Sequence, residues 1–362
     1  MKLFVAMSGG VDSSVAALLL QRAGHEVVGI HLRTGVKGGP DDPGAKPRCC
    51  GADEAEDARR TAALLGIPFF VQNAEGAFSG LIDAFADAYA RGETPNPCVA
   101  CNSGIKFGAL LRRARALGAD AVATGHYARR VRQGERWAVA RAKDAGKDQS
   151  YVLCGLGQKE LEGALFPLGD LLKAEVRAFA REAGIPVAEK PESQEICFVP
   201  GGDYREVVRE LQPDAFLPGE VVDGAGSVLA EHGGIGGFTV GQRRGLGVTA
   251  KEPLYVKDID PATRRVTVGP YGALGVQEAF LDEVRWTGIE PPPGSLELSA
   301  VLRYHARPVA ACVEPLAGGR ARLRFHEAAW PVTPGQIAVL YRGDAVAGSG
   351  RIRRGSSDPG RA

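Results

Sequence analysis

Two groups of residues in this chain could do chemistry. The first is Ser8-Gly9-Gly10-Val11-Asp12-Ser13-Ser14, set between an apolar run at 3–7 and a helix-like run at 15–23. Glycine tolerates positive φ, so a strand ending in two glycines can curl tightly. Successive N–H groups then converge with the positive end of the following helix, an arrangement that binds phosphate. The string has no lysine and is therefore not the GxxxxGK[ST] loop. A plain N-cap at Asp12 or Ser13 is the alternative. Strand, glycine pair, acid, serines and helix nevertheless fall in the order a phosphate cradle needs.

The second group is thiols. Seven cysteines (Cys49, Cys50, Cys98, Cys101, Cys154, Cys197 and Cys312) are an odd number. With no signal peptide in view, that number favours metal or thiol chemistry over a disulfide framework. Thr94-Pro95-Asn96-Pro97-Cys98-Val99-Ala100-Cys101-Asn102 precedes a helix expected to open near Ile105-Lys106-Phe107. Its two prolines stiffen the segment, and a helix N-terminus favours thiolate. Cys197 follows in Ser193-Gln194-Glu195-Ile196-Cys197-Phe198. Two bland readings compete. Cys98 and Cys101 could be half of a zinc site, although the adjacent Cys49 and Cys50 make poor tetrahedral partners. Cys197 could be a small buried hydrophobe.

These residues need elements to hold them. Apolar runs at 2–7, 27–32, 67–71 and 119–124 read as strands, and stretches at 13–23, 53–65, 78–91 and 105–117 as helices. Gly24, Gly66 and Gly118 punctuate the helix ends. Such alternation predicts a parallel sheet covered on both faces, with ligands beyond the carboxyl ends of its strands. The Ser8–Ser14 loop and Gly125-His126-Tyr127 both fall at strand ends and can face one pocket. Residues 34–51 read as a long loop of the kind that forms lids, and 133–149 as a polar connection before helices near 158–165 and 173–183. Past about residue 200 the chain turns rich in Gly and Pro with short β-like pieces at 253–258 and 265–269. From 278 it reads as all-β, with alternation at Leu296, Leu298, Ala300 and Leu302 and at Ala321, Leu323 and Phe325. The fold class expected is α/β: a first domain with the Ser8–Ser14 loop and the paired cysteines at 1–202, a small central domain at 203–275, a terminal β-barrel at 276–355 and a tail at 356–362.

A length of 362 residues suits two or three domains, and the ordinary apolar and charged content suits a globular protein. No run approaches the roughly 20 apolar residues of a membrane span, so the expectation is a cytoplasmic protein without membrane contact. Net charge is only +1, yet arginines cluster at 112–115, 129–132, 243–244, 264–265 and 351–354. A patchy basic surface of that kind could grip nucleic-acid phosphates, or could simply be solvated.

SGGxDS resembles the loop of N-type ATP pyrophosphatases, which split ATP into AMP and pyrophosphate while adenylating a carbonyl oxygen. The ordered set SGGVDSS, TPNPCxxCN with IKF, ATGHYAR, KDQSY, SQEICF, GQRRGLG and PGQ resembles the tRNA-specific 2-thiouridylases across nearly the whole chain. The resemblance implies a Rossmann-like, adenine nucleotide alpha hydrolase-like sheet, then a small central domain and a β-barrel. It implies ATP-dependent 2-thiolation of a tRNA wobble uridine through an adenylated uridine and a cysteine persulfide. Carried over by position, Cys197 bears the persulfide and Cys101 is the partner nucleophile, the two ending in a disulfide or releasing hydrosulfide. Ala6, Met7, Ser8, Gly9, Gly10, Val11, Asp12, Ser13, Leu32 and Gly125 fall at the ATP, with Asp12 on Mg²⁺. Asn96, Pro97 and Cys98 fall at the target base, Lys147, Asp148 and Gln149 at the anticodon region, and His126, Arg303, Tyr304 and Gln336 elsewhere on tRNA.

Many family members carry Asp where this chain has Cys98. That departure opens an alternative in which Cys98, Cys101 and Cys197 hold an iron–sulfur cluster with one open iron. Other implied partners are ATP, tRNA and a sulfur-donor or persulfide-relay protein, with a monomer expected. Two other function classes compete with this one. A small-molecule pyrophosphatase, such as an argininosuccinate or GMP synthetase, needs no paired distant cysteines. A non-catalytic RNA-binding protein needs neither the thiols nor an intact loop.

Overall fold

A computed structural model describes residues 1–35, 52–192, 196–199 and 202–355. Residues 36–51 of the expected lid, with Cys49 and Cys50, the residues Ser193, Gln194 and Glu195, and the tail at 356–362 lie outside the described residues. The chain forms two compact units. One comprises Met1–Leu81, Pro97–Gly202 and Asp344–Val346; the other comprises Ile82–Asn96, Asp203–Gly343 and Ala347–Ala362.

The first unit carries strands β1 (Lys2–Ala6), β2 (Glu26–Arg33), β3 (Phe69–Asn73), β4 (Ala121–Thr124), β5 (Arg129–Gln133), β6 (Arg136–Ala140) and β7 (Ala164–Leu165). Five of them form a sheet in the order β3-β2-β1-β4-β7. The pairings β1–β2, β1–β4, β2–β3 and β4–β7 are all parallel, with Val5 opposite both Gly29 and Ala123. The continuous apolar run of β1 fits its central place, since a parallel strand covered on both faces needs no polar side. Helix α1 (Val11–Arg22) follows the first strand; α2 (Ala52–Leu65) and α3 (Glu75–Ala90) come next. One core gathers Leu3, Val5, Met7, Ala17, Ala58 and Ala62; a second gathers Val15, Leu18, Tyr127, Leu168 and Val176. Because β2 and β4 lie on opposite sides of β1, the chain order reverses at β1. Ligands of open α/β sheets bind beyond such a switch point.

Further along come α4 (Pro97–Ala100), α5 (Leu110–Ala116), α6 (Gln158–Glu162) and α7 (Lys173–Glu182). The expected helix at 105–117 differs in one respect. Helical winding begins at Pro97, and Cys101–Ala109 is wound as a π-helix before α5 resumes the tighter form. Proline suits the first helical position, where its missing N–H is no loss. Wide turns of this type recur at functional sites.

In the second unit, helix α8 (Tyr204–Leu211) precedes a sheet built from β8 (Gly219–Val222), β9 (Val228–His232), β10 (Leu254–Asp260) and β11 (Arg265–Pro270). Its order is β10-β11-β8-β9 around Val221, Phe238, Val256, Ile259 and Val266. The remaining strands are β12 (Val276–Trp286), β13 (Leu296–Val301), β14 (Val309–Leu316), β15 (Arg320–Ala329), β16 (Ile337–Arg342) and β17 (Ala345–Ile352). They run β12-β15-β14-β13-β16-β17, and pairing of β12 with β17 closes the barrel. The alternation read at 296–302 and 321–325 puts Leu298, Ala300, Ala321, Leu323 and Phe325 inside. The fold is the expected α/β sheet followed by two β-rich parts. Among the described residues no helix is long and apolar enough to cross a membrane.

Candidate functional site

Beyond the carboxyl end of β1 the backbone turns at Gly9, whose φ is +74°. A Cβ there would stand 2.2 Å from the Glu54 carbonyl oxygen, so both conformation and packing require glycine. Gly10 then caps α1, with Ser14 Oγ and Ser13 Oγ donating to its carbonyl at 2.9 and 3.1 Å. Ser8 N–H donates to Ser13 Oγ at 3.1 Å. The loop is closed on itself, with the helix N-terminus at its centre. Gly125, after β4, lies against it: a Cβ would meet the Asp12 carbonyl carbon and Ser13 nitrogen at 2.6 Å. The two strand-end segments thus meet, as the alternation predicts.

Asp12 is where three elements converge. Lys173 Nζ donates to its two carboxylate oxygens at 2.7 and 2.9 Å. The Tyr127 hydroxyl donates to Oδ1 at 2.8 Å. Burial, then the Asp12 charge, pushes the Tyr127 phenol far above its ordinary range, so it stays a donor. Lys173 also reaches Glu192 Oε1 at 2.9 Å, and Lys147 reaches Glu192 Oε2 at 2.7 Å. Burial opposes the Glu192 charge, but its bonds to Lys147 and Lys173 outweigh that and hold its pKa below the usual carboxylate range. The result is a string of alternating charges, Asp12, Lys173, Glu192 and Lys147, opening on the loop.

Lys173 and Glu192 were not picked out from the sequence. A signal for the lysine was present: it is the first residue of α7. A cation there opposes the helix dipole, so another interaction must hold it.

Around this centre, Ala6 ends β1 and Leu32 is the penultimate residue of β2, while Met7 and Val11 are buried and offer only backbone to a ligand. His126, half-buried, shares a 2.7 Å bond between Nδ1 and Thr124 Oγ1. Burial and then Lys106 hold its pKa well below the ordinary value, so the ring is neutral at pH 7. Asp148 accepts from Ala142 N–H, Ser150 N–H and Ser150 Oγ at 3.0, 3.1 and 2.8 Å. Gln149 Oε1 accepts from Tyr127 N–H at 2.9 Å. Lys147, Asp148 and Gln149 therefore brace the Tyr127 side of the loop.

Cys98 is exposed in the short α4, and Cys101 is buried at the start of the π-helix. The winding is anchored by Ser103 Oγ donating to Val99 O at 2.9 Å and Asn102 Nδ2 donating to Val152 O at 3.0 Å. Cys197 is half-buried. Cys98, Cys101, Cys154, Cys197 and Cys312 are thiols. Among the described residues no group of three or more His, Cys, Asp and Glu side chains is placed to hold a metal ion. Cys98, Cys101 and Cys197 accordingly do not form the cluster-binding triad entertained from the sequence.

In the second unit, Gln336 is buried and its amide donates to Thr94 O at 2.8 Å, fixing the segment that leads to Asn96. Thr94 N–H donates to Pro334 O at 2.8 Å in the same segment. Arg303 is exposed, and Tyr304 lies 3.9 Å from His305, ring to ring. Both follow β13 in a turn where His305 has φ +62°, just past the alternation that runs through Leu302. Local turn geometry overrides the alternation there.

A glycine loop at a helix N-terminus, at the switch point of a parallel sheet, is the arrangement in which open α/β domains hold a phosphate-bearing ligand. Residues 1–201 match the tRNA methyl transferase HUP domain, 205–270 the tRNA methyl transferase PRC-barrel domain, and 276–352 the aminomethyltransferase beta-barrel domain. A tRNA-specific 2-thiouridylase MnmA from Moorella thermoacetica is 48% identical over 351 residues, covering 96% of this chain and 98% of that one. One from Geobacter metallireducens is 48% identical over 355 residues, covering 97% and 96%. A 4-thiouridine synthetase–RNA complex with bound ATP aligns at TM-score 0.33 and 16% identity over 59% of this chain and 50% of that one, too distant to bear on the fold. The chain belongs to the tRNA-specific 2-thiouridylase family, the ATP-dependent tRNA sulfurtransferases.

Proposed function

We propose that this chain adenylates O2 of a wobble uridine and replaces that oxygen with sulfur carried as a persulfide on Cys197. The observation that carries the first half is the closed Ser8–Ser14 loop with Gly125 against it and Asp12 held by Lys173 and Tyr127. ATP phosphates suit the loop N–H groups, and Ala6, Leu32 and Gly125 suit the adenosine. Mg²⁺ fits the donor set: the Asp12 carboxylate is partly open, and one carboxylate plus phosphate oxygens and water is an ordinary magnesium shell. The ion would offset charge on the pyrophosphate. Lys173, released from Asp12, is placed to do the same.

Uridine O2 attacks the α-phosphorus, pyrophosphate leaves, and the oxygen becomes part of a good leaving group. The terminal persulfide sulfur on Cys197 then attacks C2 and AMP departs. The Cys101 thiolate attacks Cys197 Sγ, the S–S bond breaks, and 2-thiouridine is released beside a Cys101–Cys197 disulfide. In the second route Cys101 attacks first, giving the same disulfide and a hydrosulfide that attacks C2. A dithiol reductant then opens the disulfide by thiol exchange and is itself oxidised, after which a sulfur-donor or persulfide-relay protein passes its terminal sulfur to the Cys197 thiolate and leaves as its own thiolate. Asn96, Pro97 and Cys98 serve the target base, with Arg303 and Tyr304 on the RNA and Gln336 positioning the Thr94–Asn96 segment. Pyrophosphate release from ATP with bulk unmodified tRNA tests the reading. Release that needs tRNA supports it; release that proceeds without tRNA contradicts it.

A further inference from the structure

Three aromatic rings of the second unit form an open cluster at the foot of a basic loop that no role above employs. Trp330 stands 5.7 Å from Tyr255 and 5.0 Å from Tyr271, and the two tyrosines are 5.8 Å apart, all edge-on. Tyr271 is 61% exposed, so most of its ring faces solvent and not the core.

Beside the cluster runs the GQRRGLG stretch and its continuation, residues 241–254. Gly241 N–H to Val256 O at 2.8 Å and Val256 N–H to Gln242 O at 2.9 Å close its base. A methyl at Gly241 would stand 3.4 Å from the Trp330 ring, which fixes loop and cluster side by side. The loop borders a cavity of about 610 Å³ lined by Arg243, Leu246, Val248, Lys251 and Leu254 among others. Arg243, Arg244 and Lys251 are exposed and form no ion pair among the described residues. Glu252 is the only acid in the stretch.

Uncompensated cations beside an exposed aromatic face match the two halves of a nucleotide. We propose that this surface binds a splayed nucleotide of the tRNA substrate, with phosphates on Arg243, Arg244 and Lys251 and the base stacked on Tyr271. The inference rests on tRNA being the substrate and extends that reading to a second contact.

The test is binding of unmodified tRNA by the full chain across about 50 to 200 mM salt, with ATP as competitor in a parallel arm. Tyr271→Ala should weaken binding about tenfold, and Tyr271→Phe, which keeps the ring, should restore it. Arg243→Ala/Arg244→Ala should lower the slope of log affinity against log salt by about 1.4 to 1.8. Wild-type binding that the alanine variants match in affinity and slope overturns this proposal alone, as does displacement of the RNA from this surface by ATP. Wild-type protein that binds no tRNA overturns the substrate reading and this proposal together.

Discussion

Lys173 Nζ sits 2.7 and 2.9 Å from the two carboxylate oxygens of Asp12, 161 positions earlier in the chain. The same ammonium reaches Glu192, so one cation ties the nucleotide loop to the segment preceding Cys197. A lysine so placed can pass from Asp12 to an incoming phosphate. Lys173→Ala should therefore lower kcat/KM for ATP by about 10- to 100-fold, the loss of one or two charge-assisted hydrogen bonds. Tyrosine fluorescence and melting should show a folded protein. Unchanged pyrophosphate release would remove Lys173 from the site.

Gly9→Ala should be more damaging than its size suggests. The added methyl meets the Glu54 backbone at 2.2 Å with φ at +74°, and backbone cannot swing aside as a flexible side chain can. A loss of about 2 to 4 kcal/mol in unfolding free energy, with ATP turnover abolished, is expected. Chemical denaturation checks it; a loss under about 0.5 kcal/mol would contradict the packing described.

His126 predicts a pH dependence. Its folded pKa lies well below the unfolded value of about 6.5, through burial and then Lys106. The unfolded chain thus binds a proton that the folded chain refuses, and stability falls as pH drops below about 6.5, by up to about 1.4 kcal/mol per unit. His126→Gln should remove that part of the slope. Denaturation midpoints from pH 7 to 5 measure it, and an unchanged slope in the variant would contradict the assignment.

Gln336→Ala separates positioning from contact. The side chain is buried on Thr94 O at 2.8 Å, so its loss should cost about 1 to 3 kcal/mol of stability. The salt dependence of tRNA binding should not move. A changed salt slope without lost stability would make Gln336 a direct RNA contact instead.

Much of the fold was legible because its signals are local. The apolar run before Ser8, the glycines closing the helices and the alternation at 321–325 each report burial within a few residues. The site was only half legible. Ser8 to Ser13 announce themselves by order, whereas Lys173 and Tyr127 reach Asp12 through the fold, across 161 and 115 positions, and Glu192 joins only through Lys173. Lys173 left one trace, a cation on the wrong end of a helix. The π-winding at Cys101–Ala109 left none in the periodicity, because it depends on anchors such as Val152 and Gly155 from a distant turn. The turn at Arg303–His305 was missed because strand alternation continues through Leu302 and gives no sign that pairing has ended.

The central claim is that sulfur reaches an ATP-activated uridine from Cys197. The most direct measurement is mass analysis of nucleosides and intact tRNA after reaction of Cys197→Ser with ATP, unmodified tRNA and a persulfide source. The account predicts AMP-bearing tRNA and no 2-thiouridine, while the unsubstituted chain yields 2-thiouridine. Thiolation by the serine variant at the unsubstituted rate would contradict it.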